Sequence, residues 1–220
     1  GFDISYSDFQ NKNYDRLKYG INIGPEFVFK NNKINLDYSF SQEKIGFSKI
    51  LNINQLMLKG FQNKNNSQFL FTTGIDNKRY YNNKDFNTEG NFIEFKSNFF
   101  SKKRFSLGAN YKYTKNNAIN DFYGNEKNYF ELTSSINLFK NLSLNLSSGI
   151  EIAAFDKYQP IFSRTRIDNL KFVNLNFRND RWFIGNYMPQ INLTFRKNKS
   201  NVDVYDTKSD NISLNLVKEF

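Results

Sequence analysis

Carboxylates are the side chains of this sequence that are best suited to bind a metal ion or to act in catalysis. Asp203 stands close to Asp206, and Asp76 and Glu94 fall on successive predicted strands, so either pair offers the oxygen ligands that Ca²⁺ prefers. No EF-hand-like spacing accompanies them, so solvated loop and strand charges are the simpler interpretation. The chain contains no Cys and no His, which excludes thiolate sites, imidazole-based zinc sites and Ser-His-Asp triads. The sequence therefore predicts no catalytic residue, no cofactor and no metal site.

Charged residues on the polar side of the predicted strands are the remaining candidates for function. The candidates predicted to face an interior lumen are Asp76, Glu94, Lys96, Glu131, Glu151, Arg178 and Arg196. They either line a pore or pair with one another across a filled lumen, and pairing is favoured because about twelve strands enclose a narrow interior. The net charge of +10 is spread over predicted turns such as 30–33 and 101–104. No single basic patch results, so nucleic acid is not an expected partner.

The elements that position these residues are β-strands, because apolar and polar residues alternate along most of the chain. In residues 142–155 the even positions are mainly Leu and Ile, whereas the odd positions are mainly Ser, Asn and Glu. About twelve such segments are predicted. They lie near 2–9, 16–29, 33–45, 49–61, 67–79, 87–100, 104–116, 127–140, 142–156, 163–178, 181–198 and 205–220.

Strand length and loop length together distinguish a membrane barrel from a soluble sandwich. Strands of a sandwich commonly have five or six residues, and these segments are longer. About ten residues tilted by about 45° cross a hydrocarbon layer. Short polar connections alternate with longer ones, as in an up-and-down meander whose two ends face different environments. The chain has 18% aromatic residues but a hydrophilic mean hydropathy of −0.68. A barrel with an apolar outer surface and a polar interior accounts for both values. The prediction is an all-β, transmembrane, antiparallel up-and-down barrel, surrounded by the lipids of a Gram-negative outer membrane.

The carboxy-terminal segment 211–220 supports this interpretation. Ile212, Leu214, Leu216 and Phe220 share one face of an alternating strand, and a terminal Phe on such a strand resembles the signal that barrel-assembly machinery recognises. A last strand that pairs with the first would close the barrel and remove its edges. Residues 1–220 are therefore taken as one barrel domain, either a mature form or an excised part, because no signal sequence precedes Gly1.

Residues 188–220 also resemble the end of a known family. Pro189 opens a strand, a basic loop follows, and then come Ser200 with Asn201, Tyr205 with Asp206, and the final strand. This order, together with "SRTRIDN" at 163–169, resembles the surface lipoprotein assembly modifier family. The resemblance implies a carboxy-terminal barrel of 12 to 14 strands, a periplasmic tetratricopeptide region upstream, and translocation of lipoprotein cargo to the cell surface.

Three functions remain open from the sequence alone. The first is translocation or display of lipoproteins, with selection by loops and by the seam between the first and last strands. The second is a porin-like diffusion pore or a polysaccharide-export barrel. The third is a structural or adhesive barrel that acts through its loops. None of the three requires an enzyme.

Overall fold

One antiparallel sheet contains all the strands that the structure describes. The computed structural model describes residues 2–7, 16–46, 48–101, 105–139, 142–179 and 188–217. Within these residues the strands follow one another in chain order across the sheet. This arrangement confirms the predicted all-β, up-and-down, antiparallel fold. In the same residues no helix is both long enough and apolar enough to cross a membrane.

The described residues form thirteen strands of this sheet, and most of these strands have more than a dozen residues. Their bounds are β1 (Phe2–Ser7), β2 (Arg16–Ile23), β3 (Glu26–Phe29), β4 (Asn32–Ile45), β5 (Ser48–Lys64), β6 (Ser67–Tyr80), β7 (Thr88–Ser101), β8 (Phe105–Ala118), β9 (Asn125–Phe139), β10 (Leu142–Gln159), β11 (Arg164–Asn179), β12 (Met188–Ser200) and β13 (Thr207–Val217). Strands β4 to β12 run from 13 to 18 residues, which is enough to cross a hydrocarbon layer when tilted.

The predicted strand 16–29 is wrong in one respect, because the structure divides it into β2 and β3. Both pieces pair with the same neighbour, β4. The break falls at Gly24 and Pro25. Pro25 has no N–H to donate to the ladder, and only its carbonyl is used, accepting from Leu36 N–H at 3.2 Å.

The two ends of the sheet differ, as the loop lengths predicted. At the short-turn end, two-residue turns begin with Lys30 and Asn65 in the left-handed region, at φ 46° and 52°. At the long-loop end, the connections include 3-10 turns at Lys84–Phe86, Pro160–Phe162 and Asp203–Tyr205. Phe86 packs between Tyr80 and Tyr123, with ring centroids 5.9 and 4.3 Å away. The long loops are thus folded structures held by aromatic contacts.

Apolar side chains are exposed and charged side chains are buried on this sheet, which is the reverse of the pattern in soluble proteins. Leu36 on β4 is 44% exposed while its neighbour Asp37 is 8% exposed, and Ile75 on β6 is 59% exposed while Asp76 is 8% exposed. Soluble proteins bury their apolar residues and expose their charges. We name the two sides the apolar face, which contains Leu36 and Ile75, and the polar face, which contains Asp37 and Asp76.

The predicted pairing of the first and last strands is not found. Among the described residues β1 pairs with β2 and β13 pairs with β12, and no ladder joins β1 to β13. The prediction rested on the cost of unpaired backbone groups at a sheet edge in lipid, an argument that requires the edges to be satisfied but does not specify which strand pairs with which. The sheet therefore has two edges, β1 and β13.

Candidate functional site

Ion pairs lie along the polar face. The pairs are Asp37–Lys59 at 2.7 Å, Asp76–Lys78 at 3.2 Å, Glu94–Lys96 at 3.0 Å and Glu151–Lys127 at 3.4 Å. The second and third join residues two apart on one strand, and the other two join neighbouring strands. The lysine side chains of these pairs are partly exposed, whereas Asp37 and Asp76 are buried. These charges are therefore neutralised locally.

The remaining lumen candidates lie on the same face at different levels. Glu131 lies opposite Asn110 and Gly149 in the register of the sheet. Arg178 is close to the short-turn end, and Arg196 is closer to the long-loop end. Glu151 lies within reach of Lys127 on the neighbouring strand. The lumen role of all seven candidates remains a prediction.

Aromatic rings on the polar face cover glycines of the neighbouring strand. Phe92 lies opposite Gly74 and Phe172 lies opposite Gly149, and both rings are buried. A Cβ at Gly149 would lie 2.6 Å from Cζ of Phe172, and one at Gly74 would lie 3.0 Å from Cζ of Phe92. The same Cβ at Gly149 would meet the backbone carbonyl oxygen of Phe130, and the one at Gly74 would lie 2.6 Å from the backbone carbonyl oxygen of Leu56. Backbone and ring together therefore leave no space for a side chain at these positions.

The turn that joins β12 to β13 is held by several hydrogen bonds at the long-loop end. Its residues Ser200 to Asp206 include four of the five family-like motif residues. Ser200 N–H donates to the Asp206 carboxylate at 2.7 Å. The Asn201 side chain accepts from Ile167 N–H and donates to the Thr165 carbonyl, both at 2.8 Å. The turn is therefore attached to β11 as well as closed upon itself.

Arg166 on β11 connects this turn to the strands below it. Its guanidinium lies 3.5 Å from the ring centroid of Tyr205 and 4.3 Å from that of Phe155. The same guanidinium is ion-paired with the buried Asp168. Stacking on two rings and pairing with one acid suits arginine, whose charged group is planar. Ser200, Asn201, Tyr205 and Asp206 thus shape one corner of the long-loop end.

Sequence reasoning missed Arg166 as the centre of this corner, although it lies inside the quoted segment 163–169. Pro189, the fifth motif residue, is the second residue of β12, far from the turn. Of the proposed assembly signal, Ile212 and Leu214 are exposed on the apolar face, Leu216 continues β13, and Phe220 lies outside the described residues. Their role as a signal remains a prediction.

Tyrosines border the apolar face on the side of the long loops. Tyr19 donates to Gln42, Gln42 donates to Asn52 at 2.7 Å, and Asn52 donates to the Tyr81 hydroxyl at 2.7 Å. Amphipathic rings of this kind are enriched where a membrane meets water. This border therefore indicates the level at which the apolar face reaches an interface.

No group of three or more Asp and Glu side chains that could hold a metal ion occurs in the described part of the chain. The carboxylates of the two candidate Ca²⁺ pairs have other partners. Asp76 and Glu94 each form an ion pair with a lysine on their own strand. Asp203 and Asp206 belong to the β12–β13 turn, where the Asp203 carbonyl accepts from the backbone N–H of Asp206 at 3.0 Å.

The comparisons with known proteins agree with this geometry. A family model described as surface lipoprotein assembly modifier matches residues 4–220. Acinetobacter baumannii OccAB4 is similar in structure, with TM-score 0.53 and 9% identity, over 91% of this chain and 51% of that chain. OmpT, an outer membrane protein of Vibrio cholerae, is similar with TM-score 0.52 and 8% identity, over 97% of this chain and 91% of that chain. A search among curated proteins finds no match.

Such low identities show the fold alone, and that fold is the outer-membrane β-barrel. In barrels of this fold the apolar face is turned to lipid and the polar face to the interior, so we expect the same orientation of the two faces here. The chain is an outer-membrane protein of a Gram-negative bacterium.

Proposed function

The chain belongs to the surface lipoprotein assembly modifier family, and on that premise we propose that its barrel delivers lipoproteins to the cell surface. The family match over residues 4–220 is the observation that carries the proposal. Delivery of a lipoprotein across a membrane requires a path and a means of selection, and it requires no bond-making group. We therefore propose transport rather than catalysis.

The proposed orientation places the long loops outside the cell. Outer-membrane barrels have short periplasmic turns and longer extracellular loops, and the two ends of this sheet differ in that way. The β12–β13 turn, held to β11 through Asn201 and Arg166, then forms part of the surface that an emerging cargo meets.

The acyl chains of a lipoprotein set the main physical requirement. Each CH₂ moved from lipid into water costs about 0.8 kcal/mol, so a water-filled path would expose an acyl group at great cost. A lateral opening in the wall lets the acyl chains remain in lipid while the polypeptide follows the polar interior. The edges β1 and β13 are the natural position for such a seam, because an edge has hydrogen-bonding groups available for a partner strand.

Two further partners belong to the proposal. Barrel-assembly machinery would recognise the end of the chain through the apolar face of β13, where Ile212 and Leu214 are exposed. A periplasmic tetratricopeptide region upstream, as the family resemblance implies, would receive the lipoprotein before it reaches the barrel.

Deletion of the gene tests the proposal in intact cells. Surface lipoproteins are measured by their accessibility to added protease, and total lipoprotein is measured after lysis. We expect surface exposure to fall while the total amount is retained, and a plasmid-borne copy to restore exposure. If surface exposure were unchanged while uptake of small solutes fell, the barrel would be a diffusion pore. If secretion of polysaccharide fell instead, it would be an export barrel for that polymer.

A further inference from the structure

Three lysines form a single row on the apolar face. Lys171 on β11 lies opposite Lys197 on β12, and Lys197 lies opposite Lys208 on β13. We call these three residues the outer lysine row. Side chains directly opposite one another are about 5 Å apart, and like charges in such positions are destabilising. A row of three like charges therefore calls for a compensating group.

Compensation within the protein is incomplete. Lys208 pairs with Asp210 at 3.0 Å. In the described part of the chain no ion pair involves Lys171 or Lys197. Lys199, two residues beyond Lys197 on the same face, adds a further positive charge and is exposed. The patch consequently has four lysines against one aspartate.

The surroundings of the row are apolar, which raises the cost of an uncompensated charge. Lys171 lies opposite Ile150 on β10, and Val173 and Ile167 are exposed on its own strand. The three lysines border a groove of about 580 Å³ whose apolar wall contains Ile150, Val173 and Phe195. Towards the short-turn end the same face becomes fully apolar, with Leu193 opposite Leu175. The groove thus has a charged rim next to a hydrocarbon-facing wall.

We propose that the outer lysine row binds the phosphate groups of a lipid in the leaflet on the long-loop side of the membrane. A phosphate carries the charge and the acceptor oxygens that several ammonium groups can share. The acyl chains of the same molecule fit against Val173 and Phe195 in the groove. Basic pockets at a membrane interface recognise anionic headgroups in this way. With the long loops outside, the ligand is a phosphorylated glycolipid of the outer leaflet.

The outer lysine row lies beside the edge of the sheet where the proposed lateral opening for lipoproteins is located. Lys208 lies on β13, one of the two edges of the sheet, and the row runs from this edge across β12 to β11. A lipid held there would contact the wall beside the proposed seam. The binding site itself does not depend on lipoprotein delivery, so the two proposals can fail separately.

The experiment titrates the refolded chain in neutral detergent micelles with diphosphoryl lipid A, dephosphorylated lipid A and inorganic phosphate. Binding is measured by calorimetry. We expect diphosphoryl lipid A to bind at least tenfold more tightly than either of the other two probes. Replacing Lys171, Lys197 and Lys208 together with Gln removes three charges, each contributing about fivefold to binding. The affinity is therefore expected to fall by roughly a hundredfold, and the matched triple Lys→Arg variant is expected to retain it.

The control variant replaces three exposed lysines elsewhere, Lys30, Lys64 and Lys84, with Gln. It removes the same total charge and is expected to bind lipid A like the unmodified chain. Equal weakening in both triple variants would mean a general charge effect and would overturn the proposal. So would equal binding of phosphorylated and dephosphorylated lipid A by the unmodified chain, a result that requires no variant to fold. Tight binding of inorganic phosphate alone would assign the row to a soluble anion.

Discussion

Replacing Leu146 with Arg tests the assignment of the two faces. Leu146 lies on the apolar face, opposite Leu175, and the same row continues to Leu193 and Ile212. An arginine here would be surrounded by apolar side chains and lipid. Arginine on the lipid face near the midplane of a barrel costs about 2–4 kcal/mol. The equilibrium constant for unfolding should thus rise by roughly 30-fold to several hundredfold, at about 1.4 kcal/mol per factor of ten.

The matched change is Asn145→Arg, one residue away on the polar face. Asn145 is exposed, donates to Asn176 at 3.2 Å, and lines a groove of about 480 Å³ that has room for a longer side chain. Losing one hydrogen bond costs about 1 kcal/mol, so Asn145→Arg should be the milder change. Both variants are refolded into phospholipid vesicles and unfolded with urea, following the fluorescence of the single Trp. Equal losses, or a larger loss at Asn145, would refute the assignment of the faces.

Three further changes have expected outcomes. Gly149→Ala should lower the free energy of unfolding by about 1–3 kcal/mol, because the new Cβ would meet the backbone carbonyl oxygen of Phe130 and lie 2.6 Å from Cζ of Phe172. Gly60→Ala, where nothing lies within 4 Å of the new Cβ, is the control for urea unfolding. Arg166→Ala should make the β12–β13 turn sensitive to added protease at concentrations that spare the unmodified chain. Unchanged sensitivity would mean that the hydrogen bonds of Asn201 and Ser200 to β11 hold the turn without Arg166. Lys127→Ala should change stability by at most about 1 kcal/mol, and a larger loss would show that its ion pair is a structural element.

Period-two alternation was sufficient to predict most strands and both faces. The predicted strand at 142–156 corresponds to β10 at Leu142–Gln159, and that at 87–100 corresponds to β7 at Thr88–Ser101. Alternation succeeds here because the strands have one apolar face and one polar face, so the polarity of each position is set by the face on which it lies. The same rule fails at Gly24 and Pro25, where the pattern continues but the missing N–H of Pro25 interrupts the ladder.

Contacts between strands could not be predicted from the pattern. Lys171, Lys197 and Lys208 each stand at an alternating position that belongs to the apolar face of the strand. The sequence alone shows this exception to the pattern. Their meeting in one row depends on the register of β11, β12 and β13, and alternation leaves register open to shifts of two residues. The pairing of Glu151 with Lys127 was missed for the same reason, since it joins neighbouring strands through register.

The β12–β13 turn shows a different limit. Ser200, Asn201, Tyr205 and Asp206 were identified as a family-like motif without a physical role. The structure attaches the turn to β11 through Asn201 and Tyr205 and closes it on itself through Ser200 and Asp206. Such a role depends on the partner residues Ile167 and Arg166, which are distant in sequence, and no spacing rule connects them.

Direct contact between the barrel edge and a lipoprotein tests the central claim most closely. A photo-crosslinking amino acid is placed at Ile212 on β13 or, as the control, at Ile93 on β7, both exposed on the apolar face, in cells that are exporting an acylated lipoprotein. Heat-modifiable gel mobility confirms that each variant is assembled. The account predicts an adduct with the lipoprotein from position 212 and none from position 93. Equal adducts at both positions, or adducts with lipid alone at 212, would contradict delivery through the edge of the sheet.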